Sequence, residues 1–167
     1  MENKIIKVIM ENGGEYRIEL YPEYAPKTVE NFVKLVEKGF YNGLTFHRII
    51  PGFMCQGGDP EGTGMGGSDE TVYGEFASNG WTANSLSHER GVISMARSQN
   101  KNSASSQFFI CYDDCSFLDG DYAAFGKVIE GMEAVDALCL VPRTFSMSGE
   151  MASPTEPVVI KSMTVEK

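Results

Sequence analysis

The sequence has no long apolar run and no concentration of charge of one sign. Its longest unbroken apolar stretches, residues 108–112 and 137–141, have five residues each, whereas a membrane-spanning helix needs about 20. The 14 basic residues are outnumbered by 23 acidic ones, giving a formal net charge of −9, and they form no Lys/Arg cluster. These absences argue against a membrane protein and against a protein that binds the phosphate backbone of nucleic acids.

Cysteine and histidine are also scarce. The four cysteines, at positions 55, 111, 115 and 139, contain no Cys-x-x-Cys pair, and His47 and His88 are distant from them in sequence. The pattern predicts neither a metal site nor a disulfide framework, so we interpret the cysteines as reduced and packed like small apolar residues. The N-terminus lacks the basic and apolar segments of a secretory signal, and we therefore expect a cytoplasmic protein.

The length and composition are typical of one globular domain. A chain of 167 residues, 42% of them hydrophobic, can bury about 68–70% of the surface that its unfolded form exposes. The sequence contains no internal repeat and no low-complexity linker. We therefore treat residues 1–167 as a single domain and, because no exposed apolar run is evident, expect a monomer.

Alternating apolar residues and turn residues predict a chain made mostly of β-strands. A first hairpin is predicted over residues 4–20, because alternating apolar side chains flank the turn residues Asn12, Gly13 and Gly14. Further strands are predicted near residues 45–50, 53–57, 91–95, 107–111, 122–128 and 158–165. The polar segment 143–157 is interpreted as a turn-rich connection.

Two helices are predicted between these strands. The first begins at Pro26, because a proline in the first turn costs no helical hydrogen bond, and it ends at Gly39. Its apolar stripe consists of Val29, Phe32, Val33 and Val36. The second helix spans about residues 131–140. Two helices and many short antiparallel strands indicate a β-barrel or a curled sheet with helical caps.

A histidine next to an arginine, His47-Arg48, raises the alternative of a hydrolase with His47 as general base. Such an enzyme needs a nucleophile and an orienting acid, but the sequence has no Gly-x-Ser-x-Gly elbow and no Cys/His signature. In a regular strand, His47 and Ile49 also lie on one face and Arg48 on the other. We therefore expect His47 to be a hydrogen-bonded structural residue.

The glycine-rich stretch at residues 57–67 raises the alternative of a phosphate-binding loop. It lacks the Gly-Lys-Ser/Thr ending of such a loop and is not followed by a predicted helix. Its acidic residues do not have the spacing of an EF-hand. A tight structural loop is the better interpretation.

Five segments resemble, in the same order along the chain, the cyclophilin family of peptidyl-prolyl cis-trans isomerases. They are FHRIIPGFMCQGGD at 46–59, SMA at 94–96, SQFFI at 106–110, FLDG at 117–120 and FGKV at 125–128. The resemblance implies a mainly β fold, a closed eight-stranded antiparallel β-barrel capped by two α-helices. It also implies the family's activity, which is rotation about X-Pro peptide bonds without a cofactor or a metal.

The resemblance further implies which residues form the site. Arg48 is the implied catalytic side chain, with Phe53 and Gln56 beside it as further catalytic residues. The residues implied to bind substrate are Met54, Ala96, Arg97, Gln107, Phe109, Phe117, Leu118 and Tyr122. Phe53, Met54, Phe109 and Leu118 would surround the proline ring. Ala96, Arg97 and Gln107 would line the groove for the residues that precede the proline.

Three of these positions depart from the best-known eukaryotic members. Arg97 replaces an Asn, Phe117 replaces a Trp and Tyr122 replaces a His. Phe117 and Tyr122, together with one extra residue in the stretch 97–106, look more similar to bacterial cytosolic members. The implied partners are proline-containing peptides and unfolded or partly folded proteins. Weak binding of the cyclic peptide cyclosporin is implied too, because Phe117 lacks the indole N–H of a Trp. A proline-peptide binding module or holdase with little turnover is the alternative, and the presence of Arg48 argues against it.

Overall fold

A computed structural model describes residues 3–146 and 148–166 of the chain. The strands are β1 Ile5–Met10, β2 Glu15–Leu20, β3 Thr45–Ile50, β4 Met54–Asp59, β5 Val92–Met95, β6 Phe108–Cys111, β7 Ala124–Glu130, β8 Arg143–Phe145, β9 Met151–Pro154 and β10 Ile160–Glu166. The helices are α1 Pro26–Glu37 and α2 Met132–Asp136. No helix in the part of the chain that the structure describes is long and apolar enough to cross a membrane.

Eight strands form one antiparallel sheet in the order β10-β1-β2-β7-β5-β6-β4-β3. The sheet curls until its edges meet, where Thr45 of β3 bridges Val159 and the Phe46 N–H donates to the Val158 carbonyl at 2.9 Å. The predicted eight-stranded antiparallel barrel with two helices is confirmed. The word "closed" overstates it, because β3 and β10 are joined by this short contact rather than by a ladder along their length.

The first hairpin shows why the sheet forms. Ile6, Val8 and Met10 alternate with more exposed residues and point into the core, and the alternating residues of β2 do the same. The Met10 N–H donates to the Gly14 carbonyl at 2.8 Å, and Gly13 adopts a left-handed φ of 93° in the turn. The predicted hairpin is confirmed.

Helix α1 packs its predicted apolar stripe against the sheet, and it ends at Glu37, two residues before Gly39. Its first turn has no local side-chain cap. The buried carboxylate of Glu75 instead accepts hydrogen bonds from the backbone N–H groups of Lys27 at 3.1 Å and Thr28 at 2.7 Å. A negative charge at a helix N-terminus is stabilising because it faces unpaired N–H groups and the positive end of the helix dipole.

The interpretation of segment 143–157 as a turn-rich connection is wrong, because the segment contains two strands. The second predicted helix is α2 followed by a 3₁₀ turn at Ala137–Leu140, and strands β8 and β9 then form a separate two-stranded hairpin. Strand β9 packs against β3. The pattern did not reveal these strands because Phe145 and Met151 are exposed rather than buried.

Candidate active site

Three adjacent strands carry the centre of the site. Arg48 on β3 is the cross-strand partner of Gln56 on β4, and Gln56 is the partner of Phe109 on β6. Phe109 lies far from Arg48 and Gln56 in sequence, yet sheet pairing places the three side chains side by side. Neighbouring residues of the three strands fill the barrel core, which makes this part of the sheet a rigid support.

A β-bulge changes the side-chain alternation in β3. The pairing of β3 with β4 skips His47, and both Phe46 and Ile49 are fully buried in the core. The expectation that His47 and Ile49 share a face is therefore wrong, because the extra residue of a bulge shifts the alternation. Burial lowers the pKa of His47. Its buried Nδ1 has no hydrogen-bond partner among the described residues, so the expected hydrogen bond is not found at this atom.

A cavity of about 210 Å³ brings together most of the residues predicted for the site. Its lining consists of Arg48, Phe53, Met54, Gln56, Ala96, Arg97, Phe109, Leu118 and Tyr122. A second cavity of about 360 Å³ shares Gln56, Ala96 and Arg97 with the first and adds Gln107. Phe117 lies outside both linings. Its side chain is 69% exposed, and its ring centroid is 5.8 Å from that of Phe53.

A chain of side-chain hydrogen bonds orients Arg48. Gln107 Nε2 donates to the carbonyl oxygens of Gly64 at 3.0 Å and Gly66 at 2.8 Å. Its Oε1 is thereby turned to accept from Gln56 Nε2 at 2.9 Å, and Gln56 Oε1 accepts from Arg48 Nη1 at 3.1 Å. The Gly64 and Gly66 carbonyls therefore determine which atom donates and which accepts in each hydrogen bond from Gln107 to the Arg48 guanidinium.

Glu150 also contacts Arg48, although no sequence pattern indicated this residue. Its two carboxylate oxygens accept from Arg48 Nε at 2.9 Å and Nη2 at 2.8 Å, a bidentate ion pair between residues 102 positions apart. The hydrogen bond from Arg48 lowers the pKa of Glu150. The only local signal is a glutamate that follows Gly149 in a polar turn, and such a signal is too common to indicate a site.

Arg97 and Tyr122, two of the positions that depart from the eukaryotic pattern, contact each other. The Arg97 guanidinium lies 4.7 Å from the Tyr122 ring centroid and 5.0 Å from that of Phe76. It also donates twice to the Asp121 carbonyl, at 3.2 and 2.7 Å. The guanidinium therefore lies within cation–π distance of both rings.

A buried histidine, His88, packs behind Phe109, one of the apolar residues that line the 210 Å³ cavity. His88 is fully buried and stacks on Phe109, with ring centroids 6.0 Å apart and an interplanar angle of 14°. Its Nδ1 lies 2.8 Å from Asp119 Oδ1 and its Nε2 lies 2.9 Å from Ser94 Oγ. Although this set resembles a hydrolase triad, Ser94 is fully buried in β5 and offers no accessible nucleophile.

The cysteines are unpaired in the structure, and two of them lie behind the cavity. Cys111 and Cys115 pack with Met54 and Phe109 in a small apolar cluster. Burial raises the pKa of both thiols, and it raises the pKa of Cys55 in the main core to about 12. Thiols that resist ionisation are poor nucleophiles and poor metal ligands.

The glycine-rich loop after β4 is organised around Asp59, the last residue of that strand. The Asp59 carboxylate accepts hydrogen bonds from the backbone N–H groups of Glu61 at 2.8 Å, Thr63 at 3.0 Å and Gly64 at 2.6 Å. Burial opposes ionisation, but these hydrogen bonds outweigh it and lower the pKa of Asp59. Within residues 3–146 and 148–166, no group of three or more His, Cys, Asp or Glu side chains is arranged to hold a metal ion.

Comparison with known proteins identifies the class. The family described as "Cyclophilin type peptidyl-prolyl cis-trans isomerase/CLD" matches residues 5–165. The peptidyl-prolyl cis-trans isomerase B of Bacillus subtilis (strain 168) is 49% identical over 125 residues, which make up 75% of this chain and 83% of that protein. The chain therefore belongs to the cyclophilin-type family, and its enzyme class is peptidyl-prolyl cis-trans isomerase.

Solved structures agree with this assignment. A cyclophilin-type peptidyl-prolyl cis-trans isomerase from Cryptosporidium parvum superposes with a TM-score of 0.84 at 32% identity, covering 99% of each chain. A second crystal structure of that protein, determined in the presence of the dipeptide Ala-Pro, gives a TM-score of 0.82 at 33% identity. It covers 98% of this chain and 99% of that one.

Proposed function

We propose that the protein isomerises X-Pro bonds without covalent chemistry, with Arg48 stabilising the twisted amide above an apolar proline pocket. One observation carries this proposal: the Arg48 guanidinium lines the 210 Å³ cavity and is held there by a hydrogen bond to Gln56. Phe53, whose ring centroid is 5.9 Å from the guanidinium carbon, completes the proposed catalytic group.

The energetics of the reaction favour such an arrangement. Rotation about a peptide bond has a barrier of about 18–20 kcal/mol, because it breaks the resonance between the nitrogen and the carbonyl group. For an X-Pro bond, the cis and trans forms differ by only about 0.5–1 kcal/mol. The proline nitrogen regains its lone pair in the twisted state. A guanidinium N–H that donates to this nitrogen stabilises the twisted state more than the planar one, and only such differential binding accelerates the reaction.

The apolar side of the pocket has a separate task in this mechanism. Phe53, Met54, Phe109 and Leu118 would hold the pyrrolidine ring while the carbonyl on the other side of the bond turns. They also exclude water, which strengthens the interaction with Arg48 by lowering the local dielectric constant. A rate gain of about 10⁵ requires about 7 kcal/mol, which one guanidinium, desolvation and orientation can share.

We further propose that the substrates are proline-containing peptides and unfolded or partly folded proteins, whose folding the enzyme would assist as a monomeric, single-domain cytoplasmic protein. The Ala-Pro dipeptide named with the Cryptosporidium parvum structure supports a proline ligand. Residues before the proline would enter the second cavity, beside Ala96, Arg97 and Gln107. The rim residues Phe117 and Tyr122 would contact bulkier ligands such as cyclosporin.

An isomerisation assay on a short X-Pro peptide, with exchange followed by NMR, tests the role of Arg48. We expect kcat/KM of Arg48→Ala to fall by about 10²- to 10³-fold, the usual effect of removing one transition-state donor. Arg48→Lys should recover little of this loss, since an ammonium lacks the planar fork.

Arg90→Ala is the matched control, because Arg90 also forms a bidentate ion pair but lines neither cavity. A near-parental rate in Arg48→Ala would contradict the electrostatic mechanism. Peptide binding by the unmodified protein without measurable turnover would instead favour the binding module.

A further inference from the structure

The hairpin of β8 and β9 holds a carboxylate against the guanidinium of Arg48. Glu150, which immediately precedes β9, accepts from Arg48 Nε at 2.9 Å and from Nη2 at 2.8 Å. Its own backbone carbonyl accepts from the Ser146 N–H at 2.7 Å, and Gly149 adopts a left-handed φ of 88° just before it. At the base of the hairpin, the Thr155 N–H donates to the Pro142 carbonyl at 2.9 Å. The turn that presents Glu150 is thus held by its own hydrogen bonds.

The contacts of Arg48 leave part of the guanidinium unused. A guanidinium has five N–H donors. Glu150 takes two of them and Gln56 takes one, so among the described residues two remain without a partner, one on Nη1 and one on Nη2. Glu150 is not part of the cavity lining, whereas Arg48 is. The carboxylate therefore occupies one edge of the fork without filling the space that a proline would enter.

Hydrogen bonds from one guanidinium to two separate groups, Gln56 and Glu150, fix the plane of the guanidinium as well as its position. Arg side chains are flexible, and an unclamped Arg48 would lose rotamer freedom each time it met the twisted amide. With Gln56 alone, the guanidinium could still turn about a single hydrogen bond. A bidentate carboxylate removes this freedom in advance, which is the usual way in which pre-organisation favours a transition state.

We propose that Glu150 is a positioning residue for the isomerase reaction, which holds the Arg48 fork so that its two remaining donors face the proline pocket. This inference rests on the proposed function of Arg48. It assigns a catalytic purpose to the hairpin at residues 143–154. Glu150 acts only through Arg48, so its removal should slow turnover without weakening the binding of the peptide ground state.

Steady-state kinetics of Glu150→Gln test the proposal, since this variant keeps the size of the side chain and removes its charge. We expect kcat to fall by about tenfold, with KM changed by less than about twofold. Asp136→Asn is the matched control: it neutralises the carboxylate of the bidentate pair with Arg90 and should leave kcat within about twofold of the parent. Thermal unfolding of both variants shows whether the fold is intact.

Two further measurements exclude a merely structural effect. In an Arg48→Ala background, Glu150→Gln should cause no additional loss of kcat. The Arg48 Nε–H resonance in NMR spectra should be well ordered in the parent and should broaden or shift in Glu150→Gln but not in Asp136→Asn. An unchanged or higher kcat in Glu150→Gln would overturn the proposal, as would an additional loss in the Arg48→Ala background.

The failure of this proposal is distinguishable from the failure of the proposed function. If Arg48→Ala loses turnover while Glu150→Gln keeps the parental kcat, only the positioning role is wrong. If Arg48→Ala itself keeps the parental rate, both are wrong.

Discussion

The apolar wall of the proposed proline pocket (Phe53, Met54, Phe109 and Leu118) and its polar edge at Arg48 are held in place by different interactions. On the apolar side, Met54 and Phe109 are almost fully buried, with Cys111 and Cys115 packed behind them. On the polar side, the Arg48 side chain is 33% exposed and is positioned by hydrogen bonds to groups from two other segments. We therefore expect substitutions of the buried wall residues to lower the stability of the fold as well as the activity. Substitution of Arg48 should lower turnover and leave stability nearly unchanged.

The largest effect is expected from breaking the wall with Phe109→Ala. The side chain is only 5% exposed, and removing a buried Phe typically costs about 3–5 kcal/mol of stability. Peptide binding should weaken as well, because the proline ring loses one of its contacts. Chemical denaturation and a peptide titration measure the two effects.

Phe117→Ala is the control for stability, because the exposed Phe117 ring should contribute less than about 0.5 kcal/mol. Unaltered peptide affinity in Phe109→Ala would remove Phe109 from the proline pocket. If the apolar residues support the fold and Arg48 does not, Arg48→Ala should show the opposite pattern to Phe109→Ala: turnover is lost and stability stays close to that of the parent.

A smaller effect is expected from adding a polar donor to the apolar rim. Phe117 has no hydrogen-bond donor, so cyclosporin should bind weakly, and Phe117→Trp should strengthen its binding by about 1.5–3 kcal/mol. This is roughly a ten- to hundredfold change in the inhibition constant. Proline substrates should respond less, because Phe117 lies outside the lining of the proline cavity.

Inhibition assays on the parent and the variant check this prediction. Tight inhibition of the parent, or no gain in Phe117→Trp, would exclude Phe117 as the determinant. Tyr122, the other rim residue that departs from the eukaryotic pattern, would then be the position to test.

The smallest effect concerns pH, because the wall is supported by a buried imidazole. Burial lowers the pKa of His88 below its ordinary value, although Asp119 opposes the shift. The unfolded chain then binds a proton that the folded protein does not, so stability falls as pH decreases from about 6.5 towards the lowered pKa. Melting temperatures between pH 7 and 5 should fall less steeply in His88→Gln than in the parent.

His47 provides the comparison, since burial lowers its pKa too and it is the only other histidine in the sequence. His47→Gln should remove part of the same slope, and the double variant should remove most of it. A parental slope in His88→Gln would show that His88 does not carry this pH dependence.

The sequence predicted the parts of the fold that depend on local patterns. The hairpin of β1 and β2 and helix α1 followed from apolar spacing and from turn residues whose conformations are restricted. The bulge at His47 was not predictable in this way, because an extra residue changes which side chains face the core without altering the composition of the strand. The hairpin of β8 and β9 was missed because its large apolar residues are exposed.

The candidate site residues came from the family resemblance, whereas the contacts of Glu75 and Glu150 came only from the structure. Glu75 caps helix α1 from 47 residues away, and Glu150 reaches Arg48 from 102 residues away. Neither glutamate differs in its local sequence from a glutamate on a solvated surface. Partners at such distances depend on how the chain folds back on itself, and residue periodicity contains no information about this.

The loop that follows β4 supplies its own anion. Backbone N–H groups that converge on a phosphate in nucleotide-binding loops here converge on Asp59, and a side chain at Gly66 would collide with that carboxylate. Asp59 thus holds the loop together from inside, and the Gly64 and Gly66 carbonyls of that loop accept from Gln107, which directs the chain of side-chain amides that ends at Arg48. The orientation of Arg48 therefore depends on a loop that contributes no charged side chain to the proposed proline pocket.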